Sequence, residues 1–363
     1  MAPVVTALAA DARFEPIVVN TGQHRELLDQ VVELFGLPVH HRLEVMQPNQ
    51  SLAGLTARLI TAIDSVLADT QPQMSLVQGD TTTVLAATLA SFYRRIPVGH
   101  VEAGLRTGNL LAPFPEEANR RLTTPLVTLH FAPTPESAAN LFAEHVPAER
   151  VFVTGNTVVD ALHQELRRQA EPAVGKELES RLAKFVGPDF GERPFVLVTG
   201  HRRENFGDGF EQICRALAVL AQQFPKHLFI YPVHLNPNVQ QVVGERLGQI
   251  ENIRLIAPQP YDAFQALLAR CTVVLTDSGG VQEEAPSLGK PVLVMRDTTE
   301  RPEGVTAGVV KLVGATSERI VSEVSRLLGD EAAYRAMSEA VSPYGDGHAA
   351  ERILTAMAKY LGD

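Results

Sequence analysis

Three acidic residues, Asp80, Glu102 and Glu116, stand in short polar segments next to apolar, strand-like runs. They belong to Gln78-Gly-Asp-Thr-Thr-Thr83, Glu102-Ala-Gly-Leu-Arg-Thr107 and Pro113-Phe-Pro-Glu-Glu-Ala-Asn-Arg-Arg121. Carboxylates gathered at strand ends can exchange protons with a substrate or stabilise a cation. Structural roles compete at each position. Asp80 could cap a helix whose first turn the threonines fill. Glu102 is a candidate base, or half of an ion pair with Arg106. Glu116 and Glu117 at a helix start favour the helix dipole. The convergence of the three acids on the ends of one predicted domain favours the functional reading.

A complementary set lies further along. Thr272-Val-Val-Leu-Thr276 reads as a buried strand, followed by Asp277-Ser-Gly-Gly280 and a helix that starts near Gln282. Strand, small-residue turn and helix N-terminus together present free N–H groups suited to a phosphate. Ser278, Gly279 and Gly280 are the candidates. A second strand, Pro291 to Met295, leads to Arg296 and Arg301, which can fork onto phosphate or carboxylate. Thr199-Gly-His-Arg-Arg-Glu204 puts His201, Arg202 and Arg203 directly after another apolar strand, and His234 follows a further one. A lone histidine such as His234 more often has a structural role. The histidines show no metal-ligand spacing, and no G-x-G-x-x-G follows a strand, since Gly207-Asp-Gly209 lacks the third glycine.

The elements that must position these residues alternate along most of the chain. Strands are expected at Ile17–Asn20, Met74–Gln78, Val98–Val101, Leu129–Ala132, Val151–Thr154, Phe195–Thr199, Leu228–Val233, Ile253–Ile256, Val273–Thr276 and Val292–Met295, with amphipathic helices such as Glu26–Phe35, Leu55–Leu67 and Phe210–Gln223 between them. This alternation predicts an α/β fold of two doubly wound parallel sheets, with ligands at the carboxyl ends of strands in a cleft. Domains are expected over 1–160 and 161–348. The charged, strand-free segment 168–188 reads as their joint, and a last helix over 349–363 packs back on the first domain. The 363 residues suffice for two domains. With 45% hydrophobic and 20% charged residues the chain is globular, and a net charge of -10 argues against nucleic acid as a partner. Two distant cysteines, Cys214 and Cys271, point to a reducing, cytoplasmic setting. No apolar run reaches the roughly 20 residues of a membrane span, and no signal peptide is visible.

Taken in order, the segments resemble the non-hydrolysing UDP-N-acetylglucosamine 2-epimerases over nearly the whole chain. The matching stretches are Gln23-His-Arg-Glu26, Gln78 to Thr83, Pro97-Val-Gly-His-Val-Glu-Ala-Gly-Leu-Arg-Thr107, Pro115-Glu-Glu-Ala-Asn-Arg120, Gly155-Asn-Thr-Val158, Thr199 to Glu204, Tyr231-Pro-Val-His-Leu-Asn-Pro237, Asp277 to Glu303 and Pro343-Tyr-Gly-Asp-Gly347. The resemblance implies the two-domain glycosyltransferase-B architecture. It implies interconversion of UDP-N-acetylglucosamine and UDP-N-acetylmannosamine through loss of UDP to 2-acetamidoglucal and its re-addition. It assigns Asp80, Glu102, Glu116 and His201 to catalysis. Ser278, Gly279, Gly280, Glu284, Arg301 and Phe264 are assigned to substrate binding. Gln23, Arg202 and His234, together with Glu116, match an activator site, where Glu26 and Asn49 replace the Gln and Arg of some members. No metal or nicotinamide is expected, and the partners expected are a UDP-sugar and a second copy in a homodimer.

The start of the chain departs from the family. Its opening, Met1-Ala-Pro-Val-Val-Thr-Ala-Leu-Ala-Ala, reads as a helix with Pro3 in its first turn. Members begin with a strand and a Gly-Thr-Arg-Pro-Glu-type loop that this chain lacks, so the polypeptide as written is expected to turn over poorly. Three other readings remain: a hydrolysing 2-epimerase, a glycosyltransferase of the same architecture, and an inactive UDP-sugar-binding protein.

Overall fold

The computed structural model describes residues 1–22, 25–47, 49–200 and 207–362. The chain forms two compact units, Met1–Ala161 with Tyr344–Asp363, and Leu162–Pro343.

Unit 1 opens with the helix Ala2–Ala10, Pro3 lying in its first turn where its missing N–H costs nothing. Strands β1 (Val19–Asn20) and β2 (His41–Arg42) pair in parallel. A separate parallel sheet runs β3 (Ser75–Gln78), β4 (Val98–Val101), β5 (Leu129–Ala132) and β6 (Val151–Val153), in that order. β3 is therefore an edge. The amides of Ser75 and Gly79 bond to Pro97 and Val101 on the β4 side at 2.9 and 3.1 Å. The alternate residues Leu76 and Gln78 turn their ladder groups the other way. Between that edge and β1 lies a cavity of about 780 Å³ whose walls include Val5, Leu8, Val19, Leu76, Val84 and Met357.

The helix Ala349–Leu361 returns to this unit. Its Ile353 and Met357 join Val4 and Leu8 of the first helix against Val101, Leu129 and Phe131. Two features hold it there. Asp160 is buried, and its carboxylate accepts the amides of Ala349 at 3.2 Å and Ala350 at 2.8 Å, satisfying donors that a helix start leaves open. The second is a backbone contact. Asn156 N–H donates to Tyr344 C=O at 2.7 Å. Gly155 and Gly345, at φ 85° and 116°, sit so close that a Cβ on either would meet the other's Cα at 3.1 or 3.0 Å. Two separate sequence segments, 155–158 and 343–347, thus fold into one junction.

In unit 2 the strands are β7 (Phe195–Thr199), β8 (Leu228–Pro232), β9 (Ile253–Ile256), β10 (Val273–Thr276), β11 (Val292–Val294) and β12 (Val310–Leu312). All pair in parallel in the order β12-β11-β10-β7-β8-β9. This is the doubly wound order, with its switch point between β7 and β10, where a crevice opens at the carboxyl ends. Both faces are covered. Phe210, Ile213, Leu217 and Val324 pack on one face, and Leu182, Ala266 and Leu267 on the other. This burial on two sides explains why the strands read as unbroken apolar runs.

Three sequence expectations change. The segment 168–188 is largely the helix Pro172–Val186, and its i, i+4, i+8 residues Leu178, Leu182 and Val186 are buried in the core of unit 2 rather than spanning a joint. β2 and β12 were not expected. β2 is only His-Arg, and β12 is an edge strand carrying Lys311, so neither shows a strong strand pattern. The helix after β10 begins at Gly279, three residues before Gln282. Among the described residues no helix is long and apolar enough to cross a membrane.

Candidate active site

The carboxylates of unit 1 gather at the carboxyl ends of β3 and β4. Gly79, at φ 83°, turns the chain after β3 so that Asp80 precedes the helix Thr82–Tyr93. The N-cap of that helix is Thr81, so Asp80 is not its cap. Glu102 follows β4 at φ 68°, a left-handed conformation that is uncommon for a non-glycine residue. Asp80 and Glu102 meet at one side chain, Arg120 of the helix Glu116–Thr123, which is itself buried. Arg120 Nε donates to Asp80 Oδ2 at 3.0 Å, Nη2 lies 2.8 Å from the same oxygen and 3.2 Å from Glu102 Oε1, and Nη1 donates to Glu102 C=O at 2.7 Å. Asn119 Nδ2 adds a 2.8 Å bond to Asp80 C=O.

The ion pair anticipated for Glu102 thus forms with a different partner. Arg106 instead forks onto Glu144, with both bonds at 2.7 Å, and donates to Thr124. Glu116 heads its helix half-buried, as the dipole favours. Its neighbour Glu117 is buried, accepts the amides of Thr107 and Gly108 at 3.0 and 3.2 Å and pairs with Arg121. Both of its oxygens are engaged in holding the loop. Beneath the site, His100 Nε2 donates to Gly79 C=O at 2.8 Å. Burial, then the charge of Arg120, push its imidazole down to about 3, so this histidine is a neutral strut at any physiological pH.

The glycine turn of unit 2 lies at the switch point. Thr199 of β7 and Thr276 of β10 share a 2.5 Å hydroxyl contact, and Ser278 N–H donates to Thr276 Oγ1 at 2.9 Å. Ser278 is the N-cap of the helix Gly279–Glu284, yet its hydroxyl makes no capping bond. Gln282 links this turn to the next loop. Its Nε2 donates to Ser278 C=O at 3.1 Å, its Oε1 accepts from Thr299 at 2.7 Å, and Thr299 Oγ1 accepts Arg301 N–H at 3.1 Å. Arg301 lies over Gly279, where a Cβ would come within 2.6 Å of its Nη1. A side chain at 279 would push this guanidinium aside, so glycine serves close approach there rather than a turn. Arg301 also bonds Glu283 and lies 3.6 Å from Glu300, while Arg296 pairs with Glu300. Neither arginine is a bare cation.

Beside this turn is a cavity of about 320 Å³ lined by Thr199, Gly200, His234, Gln259, Phe264, Ser278, Gly280 and Glu284, among others. Glu284 is buried and accepts Gln265 Nε2 at 3.0 Å. Burial pushes its carboxyl up to about 7, Gln265 opposing and Glu283 reinforcing the shift.

The structure brings Asp80 and Glu102 together, with Glu116 on the helix that carries Arg120. It gathers Ser278, Gly280, Glu284, Phe264 and His234 around one cavity, with Gly279 and Arg301 packed beside it. Gln23, His201 and Arg202 lie outside the described residues. Sequence reasoning missed Arg120, Gln259 and Gln265. Ala257-Pro-Gln-Pro260 follows β9, and a polar residue in the loop after a strand was the available signal for Gln259. Among the described residues no cluster of His, Cys, Asp and Glu could hold a metal ion.

The family model of UDP-N-acetylglucosamine 2-epimerase matches residues 6–358. The UDP-N-acetylglucosamine 2-epimerase of Escherichia coli K12 is 55% identical over 360 residues, covering 98% of this chain and 94% of that protein. Among solved structures, UDP-GlcNAc 2-epimerase from Neisseria meningitidis bound to UDP-GlcNAc is 46% identical with a TM-score of 0.90, covering 99% of this chain and 96% of that one. The Methanocaldococcus jannaschii enzyme in complex with UDP-GlcNAc and UDP is 30% identical with a TM-score of 0.80, covering 99% and 95%. By sequence and by fold, this chain belongs to the UDP-N-acetylglucosamine 2-epimerase family.

Proposed function

We propose that this chain interconverts UDP-N-acetylglucosamine and UDP-N-acetylmannosamine. The observation that carries the reading is the pair of carboxylates, Asp80 and Glu102, held at adjacent strand ends in a chain of this family. The hydrogen on sugar C2 adjoins no carbonyl, so it is not acidic in the ground state. Cleaving the C1–O bond first solves this. The bonding pair leaves with the diphosphate oxygen, C1 becomes oxocarbenium-like, and C2 then gives up its proton to a carboxylate as the C1–C2 double bond forms. Protonation of the resulting 2-acetamidoglucal at the opposite face of C2, with return of the diphosphate oxygen to C1, completes the exchange. The net reaction moves one proton and is redox-neutral, so it calls for no nicotinamide.

In this scheme Asp80, Glu102 and Glu116 supply the acid–base and cation-stabilising groups. Unit 2 retains the uridine diphosphate. Ser278, Gly279 and Gly280 hold phosphate through hydroxyl and amides, with Arg301 beside them, while Glu284 takes the ribose hydroxyls and Phe264 packs near the uracil. His201 contacts the diphosphate and helps it leave. Gln23, Arg202 and His234, with Glu116, form an activator site for a second UDP-sugar. The protein acts as a cytoplasmic homodimer.

The test is turnover in deuterium oxide. The expected result is deuterium at C2 of both epimers, UDP-N-acetylmannosamine as product and no accumulation of free UDP. Free N-acetylmannosamine with UDP would instead identify a hydrolysing enzyme, and tight UDP binding with no label at C2 would identify a sensor.

A further inference from the structure

We propose that Arg120 is the positioning residue of the carboxylate pair, fixing Asp80 and Glu102 in the one arrangement that serves proton transfer at C2. The inference rests on the epimerase reading above. An arginine present only to neutralise charge would pair with one acid. This guanidinium commits its N–H groups to three acceptors on two strand ends: Asp80 Oδ2, Glu102 Oε1 and the main-chain carbonyl of Glu102.

The bond to the carbonyl matters because Glu102 stands at φ 68°, a backbone state that persists only where its surroundings enforce it. Arg120 therefore sets both the direction from which the Glu102 side chain leaves the backbone and where its carboxylate ends. At Asp80 it engages Oδ2 from two nitrogens and leaves Oδ1 unengaged by it. Its positive charge lies between two negative ones that would otherwise repel across adjacent strands. Because Arg120 is buried, it has no solvent alternative to these partners. Arg120 touches no reacting atom in this account. It acts through the carboxylates, and Asn119 on the same helix assists by holding Asp80 C=O.

Lysine cannot reproduce the arrangement, since one ammonium lacks the planar fork that spans the two side chains and the carbonyl. Arg120→Lys should fold, bind UDP within about twofold of the wild type, and keep KM within about threefold. Its kcat and its rate of deuterium wash-in at C2 should fall by about 100-fold, the scale on which ångström misplacement of a catalytic group acts. Arg120→Ala should lose at least as much, and millimolar guanidinium should restore part of its wash-in where ammonium does not. Wild-type wash-in rates in Arg120→Lys would overturn the proposal, as would a loss confined to KM. Should Arg120→Ala fail to fold, the lysine variant decides alone. Absence of wash-in by the unsubstituted protein would defeat the epimerase reading itself, an outcome distinct from equal wash-in by both proteins.

Discussion

Glu284 shows how much a single side chain can depend on its surroundings. Its carboxyl is raised from 4.5 to about 7 chiefly by burial, so the folded chain holds this proton more tightly than the unfolded one. The sign follows from linkage. The stabilisation is complete below about pH 4.5 and is lost as pH climbs to about 7. Up to about 3 kcal/mol is involved, at roughly 1.4 kcal/mol per unit. Glu284→Gln removes the titration. Its Tm should fall less than that of the wild type between pH 5 and pH 8, and parallel Tm profiles would count against the shift. At this scale the sequence was partly legible. Asp80, Glu102 and the Ser278–Gly280 turn announce themselves because a strand delivers each to a loop. The partner of Glu102 was not legible. Arg106 is four residues away in the chain but forks onto Glu144, while Arg120 arrives from a helix whose packing no local pattern specifies.

Among the elements, strands buried on both faces were the most readable, because short continuous Val and Leu runs between turn signals mark strands of a covered parallel sheet. The helix Pro172–Val186 was visible as a helix but misplaced, since its charged face masks the Leu178, Leu182, Val186 stripe that docks it in unit 2. The helix Ala349–Leu361 offers a direct test of what holds an element in place. Asp160 caps it from a distant point in the chain. Asp160→Ala leaves two buried amides without their acceptor and should lower stability by about 1–2 kcal/mol in urea unfolding. Asp160→Asn, which keeps one acceptor oxygen, should lose less. An unchanged midpoint in the alanine variant would show that the amides find other partners.

At the scale of the whole molecule, the doubly wound order of unit 2 followed from alternation of elements, and its switch point at β7 and β10 placed the glycine turn where ligands bind. Unit 1 was less legible, because its parallel strands fall into two separate ladders, β1-β2 and β3-β4-β5-β6. The edge strand β3 faces the cavity of about 780 Å³, and that arrangement sets a pattern in time as well as in space. Ser75 and Gly79 donate to the β4 side, whereas the amides of Leu76 and Gln78 face the open side. In hydrogen exchange, protection should therefore alternate residue by residue along one short strand. The amides of Ser75 and Gly79 should persist until the sheet opens, while those of Leu76 and Gln78 should exchange orders of magnitude sooner. Uniform protection from 75 to 79 would mean that another extended segment pairs with this edge in solution.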